Sequence, residues 1–205
     1  MPTNERDIII EHVLDLDNKE NLEVALDIIS RTQDIRSRII KTFLGELKVF
    51  ICEELDKLDM SQWKWETELC ADPYGKNSHS FGVSSKFGVG ILLKGSATLK
   101  SLYIGVFSSR TNELSNESMN HLKSRLDEEC GSGRSWEDET EIWIWYQSLK
   151  LPNRDYTDWT NKDTLIEMHT YPKRVAKAIG NHLLEIIEVA KPEIEKWVKQ
   201  NPSAQ

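Results

Sequence analysis

Several features are scarce in this chain, and each scarcity excludes something. Cysteine occurs three times, as Cys52, Cys70 and Cys130. An odd, widely spaced set argues for free thiols and a cytoplasmic setting rather than a disulfide frame. No apolar run approaches the ~18 residues that cross a bilayer, so no membrane is expected as a partner. The opening Met-Pro-Thr-Asn-Glu-Arg-Asp lacks the basic-then-apolar order of a secretion signal. Proline (6) and glycine (10) are too few and too scattered among 205 residues to build a linker or a low-complexity tract. The chain therefore reads as one α+β domain over 1–205.

Basic charge is also short. The net charge is −8, distributed as −5 over 1–58, +2 over 59–112, −7 over 113–171 and +2 over 172–205. A dedicated nucleic-acid binder carries a basic stripe, which is missing here. An acidic DNA mimic would need a denser array. One stretch does concentrate acid: Asp127, Glu128, Glu129, Glu137, Asp138, Glu139 and Glu141 form a candidate acidic patch for a basic partner.

The apolar residues that are present repeat with two periods. From Leu22 to Leu55 the spacing is helical, with Ile35, Ile39, Phe43, Leu47, Ile51 and Leu55 in steps of four. The pattern predicts a helical region over 1–58, longer than a compact core needs. The period then becomes two: Trp63 and Trp65 alternate with Lys64 and Glu66. Strands are expected near Phe81–Val83, Phe87–Leu93, Leu99–Phe107 and Glu141–Tyr146. A helix over Glu117–Glu129 precedes the last of them. Short Gly/Ser/Asn turns favour an antiparallel meander of about 4–6 strands within 59–150. A helical region, 160–200, follows. Asn161 caps a short helix, and Pro172 suits the first position of a long one. Pro192 implies a kink or a fresh start. Long N-terminal and C-terminal helices thus flank the sheet.

Catalytic patterns fail in turn. Gly131-Ser132-Gly133 lacks the Gly-Lys-Ser/Thr ending of a phosphate loop. The five histidines (His12, His79, His121, His169, His182) share no metal-ligand spacing, and no serine sits in a Gly-x-Ser-x-Gly elbow. Glu46-Leu47-Lys48 matches half of a nuclease metal site but lies in the helical pattern with Asp34, where a buried strand is required. No catalytic residue, metal site or cofactor is assigned, and the balance points away from an enzyme. The tryptophans are the positive signal. Seven occur in 205 residues, and strict alternation sends Trp143 and Trp145 to one side of their strand and Ile142, Ile144 and Tyr146 to the other. With Trp63 and Trp65 they form either a buried strand pair or an aromatic platform for a protein, a second copy or a nucleobase. Trp63, Trp65, Trp143, Trp145 and Tyr146 are the candidate partner-binding residues. Lys64, Lys86, Lys94 and Lys100 would join them if the partner were nucleic acid.

The order of these features, from about Leu22 to Lys199, resembles the C-terminal, non-catalytic region of a family of bacterial PD-(D/E)XK nuclease-superfamily proteins. The resemblance rests on Phe43 and Phe50 in a long helix, Trp63-x-Trp65, Ser80-Phe81-Gly82-Val83, Leu102-Tyr103-Ile104-Gly105-Val106, Trp143-x-Trp145-Tyr146, an Asn153…Trp159 loop and a last long helix. It implies an accessory domain without the nuclease centre, of bacterial or phage origin, acting in defence or counter-defence. The expectation is a non-enzymatic interaction or regulatory protein; the alternative is a nucleic-acid-processing or nucleic-acid-binding relative with its centre absent or degenerate.

Overall fold

A computed structural model describes residues 9, 12, 14, 19–58, 63–67, 79–85, 89–95, 99–109, 115–137 and 141–200. The chain forms two compact units, Met1–Arg38 and Ile39–Gln205. In the first, helix α1 covers Lys19–Ser30, and the last residues belong to α2 (Thr32–Lys57). At Arg31, the turn between the two helices, two helical hydrogen bonds persist: its N–H donates to the Asp27 carbonyl at 3.1 Å, and Ile35 N–H donates to the Arg31 carbonyl at 3.0 Å. Ser30 and Thr32 hydroxyls donate to the Asp27 and Ile28 carbonyls one turn back. Such back-bonding competes with the main-chain ladder and marks the joint between the two helices.

The second unit holds a six-stranded antiparallel sheet in the order β1-β2-β3-β4-β6-β5. The strands are β1 (Trp63–Thr67), β2 (His79–Ser85), β3 (Val89–Gly95), β4 (Leu102–Ser109), β5 (Arg134–Glu137) and β6 (Glu141–Ser148). Helix α3 (Asn116–Glu129) sits between β4 and β5, capped by the Ser115 side chain. A short hairpin, β7 (Lys150–Leu151) and β8 (Arg154–Asp155), leads to α4 (Lys162–Thr170) and α5 (Pro172–Gln200). The expected α+β meander with flanking helices is what forms.

Period-two patterning explains the sheet's inner side. Phe81, Val83, Val89, Ile91, Leu93, Ile104 and Val106 are all buried there. Helix α5 lies on β3 and β4, with Val175, Ile179, Leu183, Ile186 and Ala190 turned inward. Ile40, Phe43, Leu47, Ile51 and Leu55 of α2 enter the same core. The helices approach closely at Gly180, where an added Cβ would stand 2.4 Å from Phe50 Cδ1. Trp159 plugs the core between Phe43, edge-on at 5.2 Å, and Phe81, also at 5.2 Å. Its segment is tied to the start of β4 by Leu102 N–H to the Thr157 carbonyl and Trp159 N–H to the Leu99 carbonyl, at 2.8 and 2.9 Å.

Three local expectations need correction. The β4–β6 register shifts, pairing Val106 with Trp145 but Phe107 with Trp143, so Ile144 is an extra residue. This bulge sends Trp143 and Trp145 to opposite sides of the sheet, because two bulged residues face one partner and alternation restarts. Pro192 lies exposed inside α5, which continues through Gln200, so the helix makes no fresh start there. Finally, β5 is a strand where none was expected.

The bulge region predicts a paired outcome. A Cβ on Gly105 would lie 2.3 Å from the Trp145 carbonyl oxygen and 2.6 Å from Tyr146 Cβ, whereas one on Gly45 meets nothing within 4 Å. Gly105→Ala should cost ~2 kcal/mol or more through overpacking against backbone. Gly45→Ala, mid-helix and exposed, should gain ~0.5–1 kcal/mol. Urea melts of both variants check this; a neutral Gly105→Ala contradicts the close β4–β6 approach.

Candidate functional site

The five aromatic candidates are divided by the sheet. Trp63 and Trp145 are buried in the main core, and Trp65 is half-buried against it. Trp143 and Tyr146 stand on the outer side, within a separate ring cluster. Tyr103 is 5.3 Å from both Trp143 and Tyr146, Phe107 is 5.9 Å from Trp143, and Lys94 Nζ lies 5.6 Å over the Trp143 ring. Trp143 itself is only 1% exposed, while Tyr103, Phe107 and Tyr146 are half-buried. Trp136, paired with Trp143 across β5–β6, is 45% exposed. Lys64 is exposed and alternates with the inward Trp63 and Trp65, which puts it on the outer side with Lys94. Lys100 is exposed in the turn before β4, and Lys86 lies outside the described residues.

The acidic stretch is not one patch. Asp127 is a structural acceptor: Oδ1 receives the Gly133 N–H at 2.8 Å and Trp145 Nε1 at 3.1 Å, while Oδ2 pairs with Lys123 Nζ at 2.6 Å. The Gly133 N–H and then the Lys123 ammonium hold its carboxyl below the usual carboxylate range. Gly133 can come this close because it has no side chain; a Cβ there would sit 2.1 Å from Trp145 Nε1. Glu128 is exposed, Glu129 borders a groove beside α5, and Glu137 borders a different depression beside Trp136. Asp138 and Glu139 fall outside the described residues.

That groove, of about 980 Å³, is lined by several paired polar side chains. Glu167 accepts from Arg154 Nε at 3.1 Å, Arg174 NH2 at 3.1 Å and the Tyr156 hydroxyl at 3.3 Å. His182 contacts Gln147 through Nε2 at 3.0 Å and Glu185 through Nδ1 at 3.1 Å. Burial, followed by the charges of Glu185 and Glu129, pushes the Cys130 thiol up to about 11. Burial, followed by Glu167, pushes the Tyr156 hydroxyl to about 12. Neither group is ionised near neutral pH, so the groove offers no thiolate or phenolate nucleophile there. Among the described residues no group of three His, Cys, Asp or Glu is placed to hold a metal ion. Glu46 and Lys48 lie on α2, with Asp34 exposed in its first turn.

The first unit carries what the tryptophan pattern missed. Leu22, Val24, Leu26, Ile28, Ile29 and Ile35 are exposed, from 37% at Leu22 to 67% at Ile29. Six large apolar side chains are open to solvent within 14 residues, with Leu22, Leu26 and Ile29 on one side of the helical pattern and Val24, Ile28 and Ile35 on the other. Their helical spacing was legible; their exposure was not, because periodicity does not say which turns of a helix are covered.

Compared with known proteins, the chain matches no family model, no curated protein and no solved structure. No helix among the described residues is long and apolar enough to cross a membrane.

The Asp127 site yields a pH-dependent prediction. A depressed folded-state pKa contributes stability that is present above the unfolded carboxyl value, about 3.9, and is lost as pH falls through the folded value. Asp127→Ala should cost ~1–3 kcal/mol at pH 7 by orphaning the Gly133 N–H and weakening the Trp145 anchor. Its deficit relative to the parent should shrink below about pH 4. Chemical denaturation at pH 7 and pH 3 tests this; an equal deficit at both contradicts the ionic role.

Proposed function

We propose that the protein is a non-enzymatic interaction or regulatory protein that binds another polypeptide through the helical segment 19–38. The observation that carries this reading is the concentration of six exposed large apolar side chains between Leu22 and Ile35. An amphipathic helix presenting such residues is a common way to engage a partner's groove or helix. The polar groove of the second unit supports the non-enzymatic half: its thiol and phenol are held protonated, and its carboxylate Glu167 is occupied by two arginines.

A second reading has one observation in its favour. Lys64 and Lys94 share the outer sheet side with Tyr103, Phe107 and Tyr146, the mixture of cations and rings on which single-stranded nucleic acid stacks.

One set of variants separates the readings. Ile28→Asp changes an exposed position, so the melting temperature should move little, whereas polypeptide association should weaken by ~2 kcal/mol or more. Lys94→Ala and Tyr146→Ala should leave that association intact. Ile28→Asp that unfolds the chain, or leaves association unchanged, refutes the helix as the contact. Oligonucleotide binding lost in Tyr146→Ala and insensitive to Ile28→Asp favours the second reading.

A further inference from the structure

We propose that the depression beside Trp136 is a base-binding pocket and that its ligand is single-stranded nucleic acid. The proposal rests on the second reading above and moves its anchor from the half-buried rings of β4 and β6 to the edge strand β5. The depression, of about 410 Å³, is lined by Asn116, Met119 and Asn120 of α3 and by Ser135, Trp136 and Ile142 of β5 and β6. Trp136 is the most exposed described ring of the sheet, at 45%. Asn116 and Asn120 are exposed and stand one turn apart, at i and i+4, on one face of α3. The Lys123 ammonium at the same rim is already taken by Asp127, at 2.6 Å. An open indole beside two carboxamides is what an unpaired base requires. The ring takes the base by stacking, and each carboxamide offers both a donor and an acceptor to its edge.

Charge selects this ligand over the neutral sugar or apolar side chain that also rests well on an exposed tryptophan. Arg134 is exposed and shares the outer side with Trp136, since the two pair with Tyr146 and Trp143 on β6. Lys94 reaches over Trp143, the cross-strand partner of Trp136. Glu137, by contrast, borders the depression itself. A carboxylate there accepts from a base amino group and repels a phosphate. The base therefore enters the depression and its phosphate turns outward to Arg134. Lys64 extends the cations to β1, five strand spacings or ~24 Å from β5. Only a strand of several nucleotides follows that span. A duplex keeps its bases stacked and paired, with none free to enter. The chain as a whole carries −8, so attraction is confined to this side and falls with salt.

The test uses the full-length chain and labelled single-stranded DNA and RNA 12-mers of mixed sequence. Fluorescence anisotropy at low salt should show saturable binding of at least one of them. Trp136→Ala should weaken it ~10-fold or more with little change in melting temperature, and Trp136→Tyr should restore most of the loss. Arg134→Ala should weaken it and reduce the slope of log affinity against log salt by ~0.7, the share of one phosphate on a single strand. The duplex of the same sequence and adenosine monophosphate should each compete at least ~10-fold less well than the unlabelled strand. Equal competition by either overturns the single strand as ligand. Binding lost in Tyr146→Ala yet unmoved in Trp136→Ala overturns the pocket and leaves the outer-ring reading standing. No saturable binding of either 12-mer overturns both.

Discussion

The packing of helices against one side of the six-stranded sheet is what the second unit depends on. The inner side of β2, β3 and β4 takes the apolar stripe of α5 and the α2 residues from Ile40 to Leu55. Each of these side chains, fully buried, is worth ~1.5–3 kcal/mol. Gly180 and Trp159 show how tightly the space is used: one has no room for a methyl group, and the other fills the gap between Phe43 and Phe81. The apolar residues between Leu22 and Ile35 belong to the same kind of sequence pattern but are exposed. Their exposure directs attention to a partner, because exposed isoleucines and leucines gain nothing from water.

The bulge in β6 is the second organising feature, and it works against an aromatic platform made of both tryptophans. One extra residue at Ile144 turns Trp145 into the core, where Asp127 and the Gly131 carbonyl receive its indole N–H. The same residue leaves Trp143 on the outer side among Tyr103, Phe107 and Tyr146. What the tryptophan strand supplies is chiefly packing on two sides of a sheet. The groove beside α5 is likewise built from satisfied pairs, with Glu167 and His182 each engaged by more than one neighbour.

Much of this could be read from residue order. Asn161 caps α4, accepting from Asp163 and Thr164, and Pro172 opens α5, because cap chemistry and proline's missing N–H act locally. The helix near Glu117–Glu129 and the antiparallel order of β1 to β4 follow from period and turn length. The bulge could not be read, since period-two reasoning assumes unbroken alternation. Strand β5 was hidden because its four residues are all exposed and carry no alternating pattern. Asp127 was legible as an acid but not as an acceptor, which needs Gly133 and Trp145 to arrive from elsewhere in the chain. A fresh start was allowed at Pro192 because local rules count the lost hydrogen bond and omit the packing of Ile194 and Trp197 beyond it.

The central claim is that residues 19–38 are a contact surface for another polypeptide. Amide hydrogen exchange of the full chain at low and high protein concentration addresses this directly. Amides in 19–38 should exchange fast at the low concentration, while β2, β3, β4 and β6 exchange slowly at both. Strong protection of 19–38 that is equal at every concentration and persists in Ile28→Asp would contradict the account, because those side chains would then be covered within the monomer.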